Sequence, residues 1–428
     1  MWGIPKLTER DDLSEWVVHF VHGMKPELVW MNEDGESEPM PVAFDEDDKG
    51  IVLEYQTYRH PLSDFELSAF DVLLRIIDDG YLQTSWSLRE KANGEVVPTI
   101  YGRRSALCVT EMPLHALTAY QQKRAESGYV DKYAIAVNKG KFFSAGGRIV
   151  YSGLSQPHKE VLHEDRDANY FCRILSPECG LAEHEQYRYV AMNMREGRHI
   201  DWSHEREWRW TKSYDVLDFT PGLPLWLQDR ECDPDRENDF SEIIVITETE
   251  EQISAVVDKL RALYDSGKNE FGIAFDKKRL RSTKVTSFAR IEKEGVRHIR
   301  DIKFSFSSFI RKITYNDEVT ERAKEVYELS RAAAQEAVES LRTDRDEREF
   351  SFCGGAELVL KDSHNEYVRA LIAAKIARPG AGEGYIINVN DMSLVQQSME
   401  LASRGCEAAG SVFFEELGLN YDVRQYPD

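Results

Sequence analysis

The chain has 428 residues, with 42% hydrophobic residues and a formal net charge of −22. That length suggests two to three domains, and that apolar content excludes a disordered chain. The acidic balance argues against wrapping duplex nucleic acid by bulk electrostatics, although it leaves room for a local basic cleft.

No run approaches the roughly 18–20 apolar residues of a membrane span, and the opening Met1-Trp2-Gly3-Ile4-Pro5 is unlike a signal peptide. These features lead us to expect a cytoplasmic protein with no membrane association. The six cysteines stand apart, none at CxxC spacing, and read as reduced thiols with no metal role.

In chain order, residues 14–23 (SEWVVHFVHG) read as a short buried strand, rich in Val and aromatic residues. Residues 32–50 carry eight acids among Gly, Pro and Ser, which predicts an exposed loop. Residues 64–79 predict a helix, with Ser63 and Glu66 at capping-box spacing, Phe70, Leu73, Leu74 and Ile77 on one face, and Gly80 to end it. Strands are expected at 106–110, 132–137 and 148–152, with a helix at 114–126 between the first two. Residues 204–212 (HEREWRWTK) alternate with period two and predict a strand that sets Glu205 and Glu207 on one face. A second block predicts a strand at 241–247, a helix at 250–267 and a strand at 282–291. Lys277 to Arg281 form a basic cluster expected as a solvated face. A long amphipathic helix is expected over 316–342 and a charged linker over 343–349. The remainder reads strand, helix 364–377, strand, helix 393–417. The glycine-rich stretch 378–384 precedes a strand instead of opening a helix, so it reads as a turn and not a dinucleotide loop.

The candidate chemistry lies in the first 210 residues. His19 could hydrogen-bond a ribose hydroxyl, although a histidine on a buried strand is more often a satisfied core residue. Arg103 and Arg104, followed by Ser105, offer a fork suited to a pyrophosphate, although such pairs are commonly surface charges. Tyr81, after the helix, offers a ring. Glu205 and Glu207 could stabilise a ribose cation, although an alternating charged strand is commonly a solvated edge. His199, Asp201 and His204 are close in sequence, and solvation is favoured over metal binding.

The order of these pieces carries a resemblance. The strand with His19-Phe20, the helix ending Asp79-Gly80-Tyr81-Leu82, the strand ALCVTEMPL (106–114), the run KYAIAVNKGKFFSAGGRIVYSG (132–153) and DWSHEREWRW (201–210) resemble the AbiGi-type abortive-infection proteins of bacterial phage defence. More distantly they resemble the DarT-type ADP-ribosyltransferases. Phe352 to Asp428 resembles a domain of unknown function that often follows the AbiGi-type region.

The resemblance implies an α+β chain with a split β-sheet core of ADP-ribosyltransferase type. It implies an AbiGi-type region over 1–300 (core 12–215, extension 216–300), a helical connector over 301–349 and a small C-terminal α/β domain over 350–428. The implied activity is cleavage of the nicotinamide–ribose bond of NAD, with NAD as substrate and no metal. ADP-ribose would pass to a nucleic-acid or protein acceptor, and the partner would be a phage-derived trigger or a cognate toxin or antitoxin. Residue by residue, Glu207, ahead of Trp208, matches the catalytic glutamate, with Glu205 as second carboxylate. His19 matches the strand histidine, and Arg103 or Arg104 the arginine. Ser105 would support the phosphate anchor, and Tyr81 would lie in the nucleotide site. Val21 stands where the DarT pattern has threonine, and about forty residues separate the first strand from its helix. The alternative is a non-catalytic binding, sensing or regulatory protein built on the same core.

Overall fold

A computed structural model of the chain describes residues 10, 12–23, 67–85, 87–90, 96–102, 104–126, 132–154, 173–195, 198–212, 222–228, 239–269, 272–305, 308–310, 313–344, 353–380, 384–395 and 398–427, with short strands at 29–31, 37–39, 43–44 and 51–52. The acidic stretch 32–50 lies largely outside the described residues, as do Ser63 and Glu66. Contacts group the chain into two units: Met1–Ile253 with Glu270–Ser308, and Ser254–Asn269 with Phe309–Asp428. The chain is mixed α and β, and no helix among the described residues is long and apolar enough to cross a membrane.

The first unit is built on a seven-stranded sheet. Its strands are β1 (Trp16–Val21), β2 (Leu107–Thr110), β3 (Tyr133–Asn138), β4 (Arg148–Ile149), β5 (Glu207–Trp210), β6 (Ile243–Thr247) and β7 (Lys284–Ser287). Their order across the sheet is β4-β5-β2-β1-β3-β6-β7. Only β6 and β7 run parallel; every other neighbouring pair is antiparallel.

The central strands are rich in Val, Ile and Ala because both faces are covered. On one face Trp16, Val18, Ala134, Ala136, Ile244 and Ile246 form a single apolar cluster. Leu114 and Leu117 of helix α2 (Leu114–Glu126) pack there, as do Phe288 and Ile291 of a short helix at Phe288–Glu294. The alternate residues Val17, Ile135, Val137 and Val245 are also buried. Helices α1 (Ala69–Asp79) and α3 (Lys139–Ser144) lie against β1 and β3, with the Phe70 ring 5.7 Å from that of Tyr133.

The sheet carries a seam. β1 pairs with β3 over six residues, yet meets β2 only at Val18 opposite Thr110. Backbone groups along the rest of that boundary are left for side chains to satisfy.

Several expected elements shift. Helix α1 starts later than expected, because the Ser68 hydroxyl caps it by accepting from the Asp71 N–H. Gly80 ends it in the left-handed region at φ 85°. The expected strand 282–291 stops at Ser287, whose hydroxyl caps the helix Phe288–Glu294 by accepting from the Arg290 N–H. Lys277–Ser282 is a short helix, and its Arg279 is buried, donating to the Leu225 carbonyl at 3.0 Å. The basic cluster is therefore not wholly a solvated face.

The second unit has an antiparallel sheet of order β9-β10-β8-β11, formed by β8 (Gly354–Leu360), β9 (Ala377–Pro379), β10 (Tyr385–Ile387) and β11 (Tyr421–Pro427). Its core joins Leu358, Leu360 and Ile387 to Val368 and Leu371 of a helix at Glu366–Ala373, Ala409 and Phe413 of helix α4 (Met399–Leu417), and Ala323 and Val326 of the long helix Asp317–Asp344. The long helix, expected as a connector, is thus a packed part of this unit. The expected helix 364–377 ends at Ala373, because Lys375 turns into the left-handed region and the chain becomes β9. Strand β11 was not anticipated from the sequence.

Candidate functional site

His19 is the fourth residue of β1 and lies at the seam. Its Nδ1 is 3.0 Å from the carbonyl oxygen of Cys108 on β2. A neutral ring donating from Nδ1 satisfies a carbonyl that the single β1–β2 bridge leaves unpaired. Burial lowers the His19 pKa to about 4, against a smaller opposing effect of that hydrogen bond. His19 is therefore neutral near pH 7, with one ring nitrogen engaged.

Glu207 opens β5. Residues opposite one another in a ladder share a face, and Glu207 lies opposite Thr110, which lies opposite Val18. His19, next after Val18, belongs to the other face. Glu207 is also engaged: its two oxygens accept from Arg209 Nε at 2.7 Å and Nη2 at 3.2 Å. The pair is largely covered, with side-chain exposures of 14% for Glu207 and 6% for Arg209. Arg209 Nη1 donates further to the carbonyls of Tyr187 and Tyr189. Burial opposes the Arg209 charge, and the facing Glu207 more than offsets it, holding its pKa above the ordinary guanidinium value. The Cys108 thiol, beside this pair, is raised by burial and then by the Glu207 charge. It is not an activated nucleophile.

Glu205 does not share the strand, contrary to expectation. Ser203–Glu205 is a 3-10 turn closed by Arg206 at φ 47°, and β5 begins only after it. The turn is tied to the end of β2: the Glu111 N–H donates to the Arg206 carbonyl at 3.2 Å, and the Thr110 hydroxyl donates to the Glu205 carbonyl. The Glu205 carboxylate instead accepts from the Tyr120 hydroxyl of α2 at 2.7 Å. Burial and this bond raise the Tyr120 pKa. Around them stand the Arg124 guanidinium, 5.7 Å from the Tyr120 ring, and the exposed rings of His204 and Trp202.

The other expected residues are dispersed. Tyr81 is buried in a strand, Tyr81–Gln83, opposite Pro224. Ser105 is bonded through its hydroxyl to Thr84 at 2.7 Å, and its carbonyl accepts from Thr211 at 2.8 Å. Arg104 precedes it and is partly buried, whereas Arg103 lies outside the described residues. Thr211 is four residues beyond Glu207, so Ser105 stands about 13 Å along the strand direction from the Glu207 level. The structure brings Glu205 and Glu207 to one end of β2–β5, His19 to the seam, and Ser105 to the opposite end.

Sequence reasoning missed Arg209, Tyr120 and Glu111. Glu111 accepts from Lys139 Nζ and from Trp208 Nε1, each at 3.0 Å. The two-residue spacing from Glu207 to Arg209 was a readable signal, because both fall on one strand face. Tyr120 had none, since its partner is 85 residues away. Among the described residues no group of three His, Cys, Asp or Glu is placed to hold a metal ion. Surface grooves among the described residues include one formed by Glu294–His298 with Asp301 and Lys303, and one formed by Leu13–Trp16, Pro113, Leu114 and His298–Arg300. Neither is lined by His19, Glu205 or Glu207.

No family model matches the chain, no curated protein matches it in sequence, and no solved structure matches its fold.

Proposed function

We propose that the first unit is a transferase-type core that has given up catalysis and serves as a binding or regulatory module of a bacterial anti-phage system. Its partner would be a phage-derived trigger or a cognate toxin. One observation carries this reading: the carboxylate matched to the catalytic glutamate is held at both oxygens by a buried arginine, and the sheet register assigns His19 to the other face. A glutamate that stabilises a ribose cation needs an oxygen directed at the reacting carbon. A histidine that grips the same riboside must line the same cleft.

The test is to incubate the purified chain with isotopically labelled NAD, DNA, RNA and protein lysate. The proposal expects no nicotinamide release and no labelled acceptor. Turnover that disappears in Glu207→Gln, with stability intact, would overturn it.

A second reading, the NAD-dependent ADP-ribosyltransferase of abortive infection, draws support from the seam. The sheet is held there by one bridge, as a split-sheet core requires, with His19 on one side and the glutamate-bearing strand one strand away on the other. On that reading Glu205 is the better acid, because its carboxylate accepts from a neutral phenol, the Tyr120 hydroxyl, and exposed rings stand beside it. NAD would be the substrate, and a nucleic acid or protein the acceptor. Glu205→Gln abolishing nicotinamide release while Glu207→Asp retains it would favour this assignment.

A further inference from the structure

The edge strand β4 is bordered by exposed apolar side chains, Phe143, Ile149, Tyr151 and Met192. Phe143 and Ile149 are each 50% exposed and Tyr151 is 39% exposed, against the usual burial of side chains of this size. Contacts link them into one surface. The Arg148 guanidinium lies 4.0 Å from the centre of the Phe143 ring, and Ile149 follows Arg148 in β4. Arg188 Nε donates to the Ile149 carbonyl at 3.0 Å, and the same guanidinium lies 4.2 Å from the centre of the Tyr151 ring. Tyr151–Ser152 runs parallel to Tyr189–Val190, and a Cβ added at Gly153 would stand 3.4 Å from that of Met192. Arg188 takes a carbonyl of the edge strand, so side chains are left to carry recognition.

The surface also has a local charge. Residues 132–154 carry four Lys or Arg and no Asp or Glu, in a chain of net charge −22. Three of the four face carboxylates from elsewhere: Lys132 stands 3.7 Å from Glu248, Lys139 3.0 Å from Glu111 and Lys141 3.8 Å from Asp239. Arg148 has no carboxylate partner among the described residues. Its Nη1 donates to the carbonyls of Phe143 and Gly147, both at 2.8 Å. Its Nε and Nη2 donate to no acceptor among those residues and are not enclosed. A guanidinium fixed by two carbonyls and a ring holds this Nε–Nη2 edge in a set orientation, the geometry that takes both oxygens of a carboxylate.

We infer that this surface binds a peptide segment of a partner protein in which an Asp or Glu neighbours large apolar side chains. The carboxylate engages the open edge of Arg148, and the apolar neighbours cover Phe143, Ile149, Tyr151 and Met192. Arginine, aromatic and methionine side chains are the groups enriched at protein interfaces. A nucleic-acid strand fits less well, because it needs several cations facing phosphates and three of the four here already face carboxylates. The chain's overall negative charge acts weakly at the contact, since salt screens charges beyond about 8–10 Å. This surface presupposes the binding module proposed above. Peptide binding and NAD turnover are separate readouts, so either can fail alone.

The test is selection of displayed random peptides on the full chain, followed by fluorescence anisotropy with the enriched peptides. Enrichment of peptides that place Asp or Glu beside large apolar residues is expected. Arg148→Glu raises their dissociation constant by about tenfold or more, and a selection repeated on that variant turns to peptides bearing Lys or Arg. Ile149→Glu, at a half-exposed position, sets a rival carboxylate beside the Arg148 fork and weakens binding as much. Circular dichroism on both variants excludes misfolding, and if Arg148→Glu misfolds, Ile149→Glu decides alone. Failure to enrich any peptide overturns the inference, as does enrichment without acids or binding indifferent to both substitutions. An oligothymidylate that binds at physiological salt and no longer binds Arg148→Glu also overturns it, by giving the surface to nucleic acid.

Discussion

Replacing Glu207 by Gln distinguishes a structural carboxylate from a catalytic one. The substitution keeps the shape and one acceptor, yet it removes the charge facing Arg209, which is 6% exposed. Breaking a buried ion pair on one side costs about 3–5 kcal/mol, because the remaining charge keeps its desolvation penalty. Here the guanidinium keeps its bonds to the Tyr187 and Tyr189 carbonyls, and Gln retains an oxygen, so about 2 kcal/mol is expected. For a unit of this size that lowers the midpoint of thermal unfolding by roughly 4–8 °C. Trp208 and Trp210 flank Arg209, so tryptophan fluorescence reports the transition of this unit. Glu207→Gln/Arg209→Met should recover part of the loss, since no charge is left stranded. A Glu207→Gln chain that melts with the wild type would refute the reasoning and return this carboxylate to the list of groups free for chemistry.

Three further outcomes follow from the geometry. His19 has its folded pKa lowered to about 4 from 6.5, so the unfolded chain binds its proton first; the contribution is present above pH 6.5 and is lost as pH falls towards 4. A His19→Gln variant should therefore show a shallower loss of stability across that window, measured by urea unfolding at stepped pH. Gly80→Ala should lower stability by about 2 kcal/mol or more in thermal melts, because φ is 85° and a Cβ would come within 2.6 Å of the Leu227 side chain. In the second unit Asp265 accepts from Arg369 Nη2 at 2.7 Å and from the Tyr385 hydroxyl at 2.8 Å, with Asp265 5% exposed. Asp265→Asn should destabilise that unit by about 2–4 kcal/mol, seen as faster amide exchange in β10, while leaving the Trp208 and Trp210 signal unchanged.

Much of the fold was legible because local pattern and final environment agree. Val17, Val18 and Val21 favour a strand on their own account, and the sheet buries them. The period of α1 and its closing glycine mark that helix whatever it packs against. Two of the boundaries that shifted were set by single side-chain caps. Ser68 and Ser287 could each have been ordinary loop residues until a backbone N–H was placed within reach. Strand β11 lacks an alternating apolar face, reading Tyr-Asp-Val-Arg-Gln-Tyr-Pro, and forms because β8 offers it a ladder.

The chain alone determined which side chains carry charge and rings, and where its strands and helices could form, since propensity and periodicity act over a few residues. It could not determine what those side chains face. Glu207 reads the same whether it points at a substrate or at Arg209, and Glu205 whether it lies on a strand or in the turn before one. Those choices were made by strand register and by partners far off in sequence, such as Tyr120 for Glu205 and Cys108 for His19. A one-residue change of register exchanges the two faces of a strand, so the difference between a shared cleft and opposite sides is a property of the assembled sheet.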